Sequence, residues 1–177
     1  MNADRRIALV IHNVRSAANV GSMLRTADGA GVSQVWLSGY TPAPAAADCR
    51  YPTAAERALA KTALGAERSV LWHRCRSIGT VLERLHTEGY RLVALEQSDG
   101  SISAEEAGRM DDAIAIVVGN EVRGIDRRIL ERCDAIIELP MYGQKHSLNV
   151  AVAAGIALYT IRGTIKKTNI LCKSKVR

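Results

Sequence analysis

Two hydrophobic rhythms alternate along the chain. Short apolar runs over 7–12, 34–37, 70–73, 91–95, 113–118 and 135–139 predict strands. The runs at 91–95 and 113–118 are unbroken, as expected of strands covered on both faces in a parallel sheet. Between the runs, apolar residues recur at helical spacing. Helices are predicted over 19–30, closed by Gly31, over 53–63, and over 77–88. The last of these has Val81, Leu82 and Leu85 on one side and Gly89 at its stop. A shorter helix is predicted over 126–133, and 41–52, with Pro42, Pro44 and Pro52 among alanines, is predicted as a loop. Strands alternating with helices predict one α/β domain on a mostly parallel sheet. Ligands of such sheets bind beyond the carboxyl ends of the strands.

The segment 147–158, SLNVAVAAGIAL, departs from this pattern. A surface helix shows one apolar stripe and one polar face. This segment has no polar face after Asn149 and is expected to be buried on every side. Ala151, Ala153, Ala154, Gly155 and Ala157 would let other backbones come close. Ser147 and Asn149 stand at its entrance. Two readings are open: Ser147 caps the helix with help from Asn149, or the helix mouth receives a ligand.

Composition narrows the class. The chain has 177 residues and no Phe, so its core must be aliphatic. No stretch reaches the length of a membrane span, and the first apolar run reads as a strand, so no secretory signal is expected. Cys49, Cys75, Cys133 and Cys172 show no paired spacing, which argues against a disulfide framework or a metal site and for the cytoplasm. The net charge of +6 is unevenly placed. From Arg162 onward there are six cations and no acid, whereas the rest of the chain is balanced. Residues 1–163 are therefore expected as one domain and 164–177 as a basic tail. Lys166, Lys167, Lys173 and Lys175 would either meet a polyanion such as nucleic acid or form a solvated appendage.

Three segments, each following a predicted strand, carry candidate chemistry. In NVRSAANVGSMLRTA (13–27), Asn19 is a candidate helix cap, Gly21 leaves room for a close backbone, and Arg25 could grip a phosphate or make a weak surface pair. In VGNEVRGID (118–126), Gly119 and Gly124 bracket Asn120, Glu121 and Arg123. This is neither a phosphate loop nor a dinucleotide fingerprint. Glu121 is a ligand or RNA contact, or an ordinary turn carboxylate. In LPMYGQKHSLN (139–149), Pro140 and Gly143 force a bend. The pair His146–Ser147 lacks a nucleophile elbow, so Lys145 and His146 are expected to face solvent or RNA.

Together these segments resemble the motifs of the SpoU (TrmH-like) branch of the SPOUT RNA methyltransferases. Asn19, Gly21, Arg25 and Ala27 match the first motif; Gly119, Glu121 and Gly124 match the second. Pro140, Met141, Gly143 and Ser147 to Val150 match the third, and Leu64-Gly65-Ala66 is also similar. The resemblance runs from about Ile7 to Tyr159. It implies an α/β sheet with helices on both faces, a C-terminal trefoil knot, a homodimer, and S-adenosyl-L-methionine bound in the knot. The implied reaction is methyl transfer to a ribose 2′-hydroxyl of tRNA or rRNA. Arg25 would be the main catalytic residue, in the family sometimes described as the base; a guanidinium holds its proton firmly, so the role expected here is to bind the adjoining phosphate and ribose, with phosphate-assisted proton removal left open. Asn19, Glu121, Ser147 and Asn149 would complete the site. Leu95, Gly119, Leu139, Met141 and Leu148 would contact the cofactor, largely through backbone. Ala151 and Val122 depart from common family residues, Ser and Gly. No added N-terminal RNA-binding domain is expected, so RNA selection would fall to this domain, its dimer surface and the tail. The alternatives are a non-catalytic binding protein of the same fold, and a flavodoxin-like nucleotide-binding enzyme if the motifs are set aside.

Overall fold

In the computed structural model the described residues are 5–110 and 113–163. The strands are β1 (Arg6–His12), β2 (Gln34–Ser38), β3 (Trp72–Cys75), β4 (Arg91–Leu95), β5 (Ile102–Ser103), β6 (Ala113–Val118) and β7 (Ala135–Glu138). They form one sheet in the order β3-β2-β1-β6-β4-β7-β5, and their pairings are parallel. The helices are α1 (Ala17–Gly29), α2 (Ala54–Ala63), α3 (Ala66–Ser69), α4 (Ile78–Thr87), α5 (Ala104–Met110), α6 (Arg127–Leu130) and α7 (Val150–Gly163).

The unbroken apolar runs have a direct cause. Side chains alternate across a strand, and both faces of this sheet are covered. Ile7, Leu9 and Ile11 of β1, with Ile114, Ile116 and Val118 of β6, enter a core shared with α1, α2, α5 and α7. Ala8 and Val10, with Ala115 and Val117, enter a second core with α4 and α6 on the opposite face. A polar residue at any of these positions would be buried unpaired, at a cost of about 1–3 kcal/mol.

Local chemistry sets the helix ends. Thr53 and Glu56 form a capping box at the start of α2. Helix α1 begins two residues before the predicted start. Ser16 caps it, its Oγ accepting from the Asn19 N–H at 3.2 Å, so Asn19 is not the cap and its side chain is free for other work. Helices α1 and α2 touch at Gly21, where a Cβ would lie 2.2 Å from the Leu59 carbonyl oxygen and 2.2 Å from Thr62 Oγ1. That Thr62 hydroxyl also donates to the Ala18 carbonyl at 2.9 Å.

Other expectations shift. Strand β3 lies at 72–75 rather than 70–73, because Val70 closes α3. Helix α7 starts at Val150, not Ser147, and Asn149 caps it: its Oδ1 accepts from the N–H groups of Ala151 (2.8 Å) and Val152 (3.4 Å). The helix is not buried all round. Ala154, Ala157, Leu158 and Ile161 are buried, while Val152, Ile156 and Tyr159 are 51%, 43% and 55% exposed. Arg162, grouped above with the basic stretch, is a structural clamp. Its guanidinium donates to the carbonyls of Ala30, Gly31 and Arg5 and ties the end of α7 to those of α1 and the first strand. The tail cations Lys166, Lys167, Lys173 and Lys175 lie outside the described residues. No helix among the described residues is long and apolar enough to cross a membrane.

Candidate active site

The carboxyl ends of three adjacent strands, β6, β4 and β7, open into a cavity of about 290 Å³. It is walled by the turns that leave those strands (Leu95 to Gln97, Val118 to Val122, Glu138 to Met141) and by Ser147 to Val150 at the mouth of α7. All five predicted cofactor contacts, Leu95, Gly119, Leu139, Met141 and Leu148, line it. Among the described residues its lining contains three carboxylates, Glu96, Glu121 and Glu138, and no Lys, Arg or His. Such a wall repels phosphate and suits a cation-bearing ligand with apolar parts.

The turn after β6 is held by its own hydrogen bonds. Asn120 and Gly124 exchange backbone hydrogen bonds of 3.1 and 2.9 Å, closing an antiparallel bridge. Asn120 Oδ1 accepts from the Val122 and Arg123 N–H groups at 3.0 and 2.9 Å. Gly124 has φ +66°, and a Cβ there would sit 2.3 Å from Glu96 Oε2. That oxygen instead accepts from the Ile125 N–H at 2.9 Å. The glycine thus serves both a left-handed turn and a close approach.

The three motif segments meet in one polar chain. Asn149 Nδ2 donates to Asn19 Oδ1, and Asn19 Nδ2 donates to Glu121 Oε1, both at 3.2 Å. Glu121 also accepts from the backbone N–H groups of Arg15 (3.1 Å, Oε2) and Ser16 (3.1 Å, Oε1). Burial would raise the Glu121 carboxyl. The N–H groups of Arg15, Glu121 itself and Ser16, with the Asn19 amide, outweigh it and hold the carboxyl below the ordinary value. Asn149 therefore caps α7 and reaches α1 at once. Asn149→Ala is expected to cost about 1 kcal/mol for the lost cap and to weaken ligand binding several-fold. Thermal unfolding and calorimetry check both; unchanged binding with a lowered Tm would leave it a cap alone.

The other predicted residues stand as follows. Ser147 is exposed and lines the cavity. Arg25 is exposed on α1 and does not line the cavity. It lies six residues beyond Asn19, about 9 Å further along the helix axis. Lys145 and His146 are exposed on the loop before α7, where the His146 carbonyl accepts from Gln97 Nε2. Arg123 is exposed, does not line the cavity, and lines a second cleft with Arg15 and Tyr40. Sequence reasoning singled out neither Arg15 nor Tyr40. The available signal was their position just past the ends of β1 and β2, on the ligand edge of the sheet. Among the described residues no group of three or more His, Cys, Asp or Glu could hold a metal ion. Burial pushes the Cys133 thiol up to about 12, so it is no nucleophile at neutral pH.

His12, at the end of β1, is buried. Its Nδ1 meets Ser38 Oγ at 2.8 Å and its Nε2 meets Asn13 Nδ2 at 2.9 Å. Burial lowers its pKa below the ordinary imidazole value of about 6.5, against a smaller opposing pull from Asp126. The folded chain thus refuses a proton that the unfolded chain takes up as pH falls below about 6.5. Stability should fall on the acid side of that value and level off below the folded pKa. His12→Gln should show a smaller Tm loss between pH 7 and pH 5.5 than the wild type; equal losses would assign the acid sensitivity elsewhere.

Fold and site define a parallel-sheet α/β protein with an acidic cavity at its carboxyl edge, closed by a helix mouth from late in the chain. Residues 6–159 match the model of the SpoU rRNA Methylase family, and the chain belongs to that family. It is 34% identical over 161 residues to the 23S rRNA (guanosine(2553)-2'-O)-methyltransferase RlmP of Bacillus subtilis strain 168, covering 91% of this chain and 60% of the relative. It spans 53–60% of the length of the first curated relatives it matches. An AdoMet-bound rRNA methyltransferase of Sinorhizobium meliloti shares the fold, with TM-score 0.78, 23% identity and coverage of 92% and 57% of the two chains. A protein whose structure concerns 2-OH methylation of C/U34 on tRNA matches with TM-score 0.72 and 25% identity, over 92% of this chain and 97% of that one.

Proposed function

We propose that the chain is an RNA methyltransferase that moves a methyl group from S-adenosyl-L-methionine to a ribose 2′-hydroxyl of tRNA or rRNA. The observation that carries this reading is the cavity at the ends of β6, β4 and β7, with its carboxylates, its apolar Leu95, Leu139, Met141 and Leu148, and no cation among the described residues that line it. A sulfonium and an ammonium suit that wall; the phosphates of a flavin or dinucleotide do not. The kinship with the Bacillus subtilis enzyme, which acts on a guanosine 2′-hydroxyl of 23S rRNA by its name, points the same way. When bound, the cofactor supplies a methyl already activated by the adjacent positive sulfur.

The residues then have separate tasks. Backbone at Leu95, Gly119, Leu139, Met141 and Leu148 holds the cofactor. Glu121 acts as a positioning residue: both its oxygens are engaged, and it fixes the start of α1 against the cavity wall. Asn19 and Asn149 carry that order to the mouth of α7. Ser147 faces the reacting ribose at the cavity lip. Arg25 binds the phosphate and ribose beside the reacting hydroxyl, whose proton leaves to that phosphate or to water. Arg123, Lys145, His146 and the tail lysines Lys166, Lys167, Lys173 and Lys175 supply phosphate contacts. The exposed apolar residues Val152, Ile156 and Tyr159 of α7 support a homodimer joined on that face. The chain works in the cytoplasm, where its RNA is, and its C-terminal part forms the family's trefoil knot.

The test is calorimetry with S-adenosyl-L-methionine, with and without a chelator, followed by incubation with labelled cofactor and total RNA. Binding that ignores the chelator, and label recovered as a ribose 2′-O-methyl, are expected. Binding without transfer to any RNA would make the chain a non-catalytic binding protein of this fold. No binding, or binding lost to the chelator, would overturn the reading.

A further inference from the structure

The carboxyl edge of the sheet carries a second cleft beside the cofactor cavity. It is lined by Arg15, Tyr40, Asn120, Val122 and Arg123 and encloses about 600 Å³. These residues follow β1, β2 and β6, which are neighbours in the sheet. Asn120 and Val122 belong to the walls of both cavities. One short turn is therefore all that separates them.

Tyr40 lines the cleft, and its placement is built. The side chain is 56% exposed, yet the residue is tethered at both ends. Its backbone N–H donates to Asn13 Oδ1 at 3.2 Å, and its hydroxyl accepts from Asn120 Nδ2 at 3.1 Å. The same Asn120 amide donates to the Asn13 carbonyl at 2.9 Å. Asn13 adopts φ +56°, a conformation Asn tolerates better than most residues. Beneath, the buried Thr41 hydroxyl lies 3.0 Å from the Ile11 carbonyl and 2.8 Å from that of Ser38. An open aromatic ring held at both ends is a stacking platform that has already lost its rotamer freedom. Arg15 and Arg123 flank it. Both are exposed, and neither guanidinium has a hydrogen-bond or ion-pair partner among the described residues. Yet the backbone N–H of each is fixed, Arg15 by Glu121 and Arg123 by Asn120. Two free cations on anchored backbone around an exposed ring have the chemistry that single-stranded RNA requires: phosphate grip plus base stacking. The acidic cofactor cavity next door has the opposite character.

We propose that this cleft seats an unpaired nucleotide of the substrate RNA next to the one that is methylated, its base stacked on Tyr40 and its flanking phosphates held by Arg15 and Arg123. The proposal rests on the RNA methyltransferase reading for the neighbouring cavity. Stacking of one base is worth roughly 1–3 kcal/mol, so Tyr40→Ala should weaken binding of RNA about tenfold or more. Each arginine removed should also lower the salt slope of binding by about one.

The probes are a fluorescent single-stranded oligoribonucleotide, uridine monophosphate, and S-adenosyl-L-methionine, each titrated against the full chain. Tyr40→Ala, Tyr40→Phe and the Arg15→Ala/Arg123→Ala pair are compared with the wild type at several salt concentrations. Expected are a loss of about tenfold or more for Tyr40→Ala, a clearly smaller loss for Tyr40→Phe, which keeps the ring but gives up the Asn120 tether, and a flattened salt slope for the arginine pair. Affinity for S-adenosyl-L-methionine should stay within about twofold throughout and reports that each variant is folded. Wild-type RNA affinity and slope in Tyr40→Ala and in the arginine pair would overturn the proposal, as would a wild type that does not bind the oligonucleotide. Uridine monophosphate bound as tightly as the oligonucleotide would also overturn it, making the cleft a free-nucleotide site. Because binding is read without turnover, failure of methyl transfer alone removes the enzyme reading while the cleft still stands or falls on these titrations.

Discussion

Arg25→Ala should reduce methyl transfer to RNA by about a hundredfold or more while leaving S-adenosyl-L-methionine affinity within about twofold. The size follows from removing a charged contact made at the reacting centre. The selectivity follows from position: Arg25 is absent from the cofactor cavity wall and exposed on α1, beyond the Asn19 that reaches that wall through Glu121 and Asn149. Arg25→Lys should recover little, since an ammonium lacks the planar fork that grips a phosphate with two parallel hydrogen bonds. Single-turnover transfer with saturating cofactor, alongside calorimetry, separates the two effects. Near-normal turnover in Arg25→Ala would remove the role assigned to it, and an equal loss of cofactor affinity would move it into the cofactor site.

Gly21→Ala is the substitution expected to harm stability most. A methyl there would lie 2.2 Å from both the Leu59 carbonyl oxygen and Thr62 Oγ1. Overpacking typically costs about 1–3 kcal/mol, and here one of the two neighbours is backbone, so the upper end applies. For a chain of this size about 3 kcal/mol lowers Tm by roughly 6–12 °C. Pushing α1 away from α2 also moves Asn19, so methyl transfer should fall in the same variant. Gly143→Ala is the control, since a Cβ there has nothing within 4 Å, and its Tm should be unchanged. A Gly21→Ala chain as stable as the wild type would show that the two helices separate at no cost.

Much of the architecture was legible in the sequence because burial leaves a strong mark. Strands β1, β4 and β6 are covered on both faces, and such strands cannot carry polar residues midway. Strand β5 and helix α5 were not legible. The strand has two residues, and α5 buries only Ala104, Ala107 and Gly108 among Glu105, Glu106 and Arg109, too little apolar surface to show a period. The site was legible as motifs but not as geometry. Asn19 reads as a cap because Asn caps helices; that Ser16 takes the task and frees Asn19 to join Glu121 to Asn149 depends on contacts across more than 100 residues. Ser147 was the expected cap of α7 for the same reason, and Asn149 holds that place. The composition of helix α7 predicts burial all round because it carries no polar face, whereas the domain itself covers only one side and leaves Val152, Ile156 and Tyr159 exposed. Tyr40 falls between the strand expected at 34–37 and the loop expected at 41–52, and its tether to Asn120 spans 80 residues.

The bridged turn from Asn120 to Gly124 has a thermodynamic consequence. The same few residues stand between the cofactor cavity and the neighbouring cleft, and their backbone is closed on itself by two hydrogen bonds. A rigid partition of this kind cannot relax towards one compartment without changing the other. By reciprocity, whatever factor a bound cofactor adds to the affinity of the cleft, an occupant of the cleft adds to the affinity for cofactor. The order in which the two arrive is then free to vary, while the free energy of the doubly loaded state stays the same along either route.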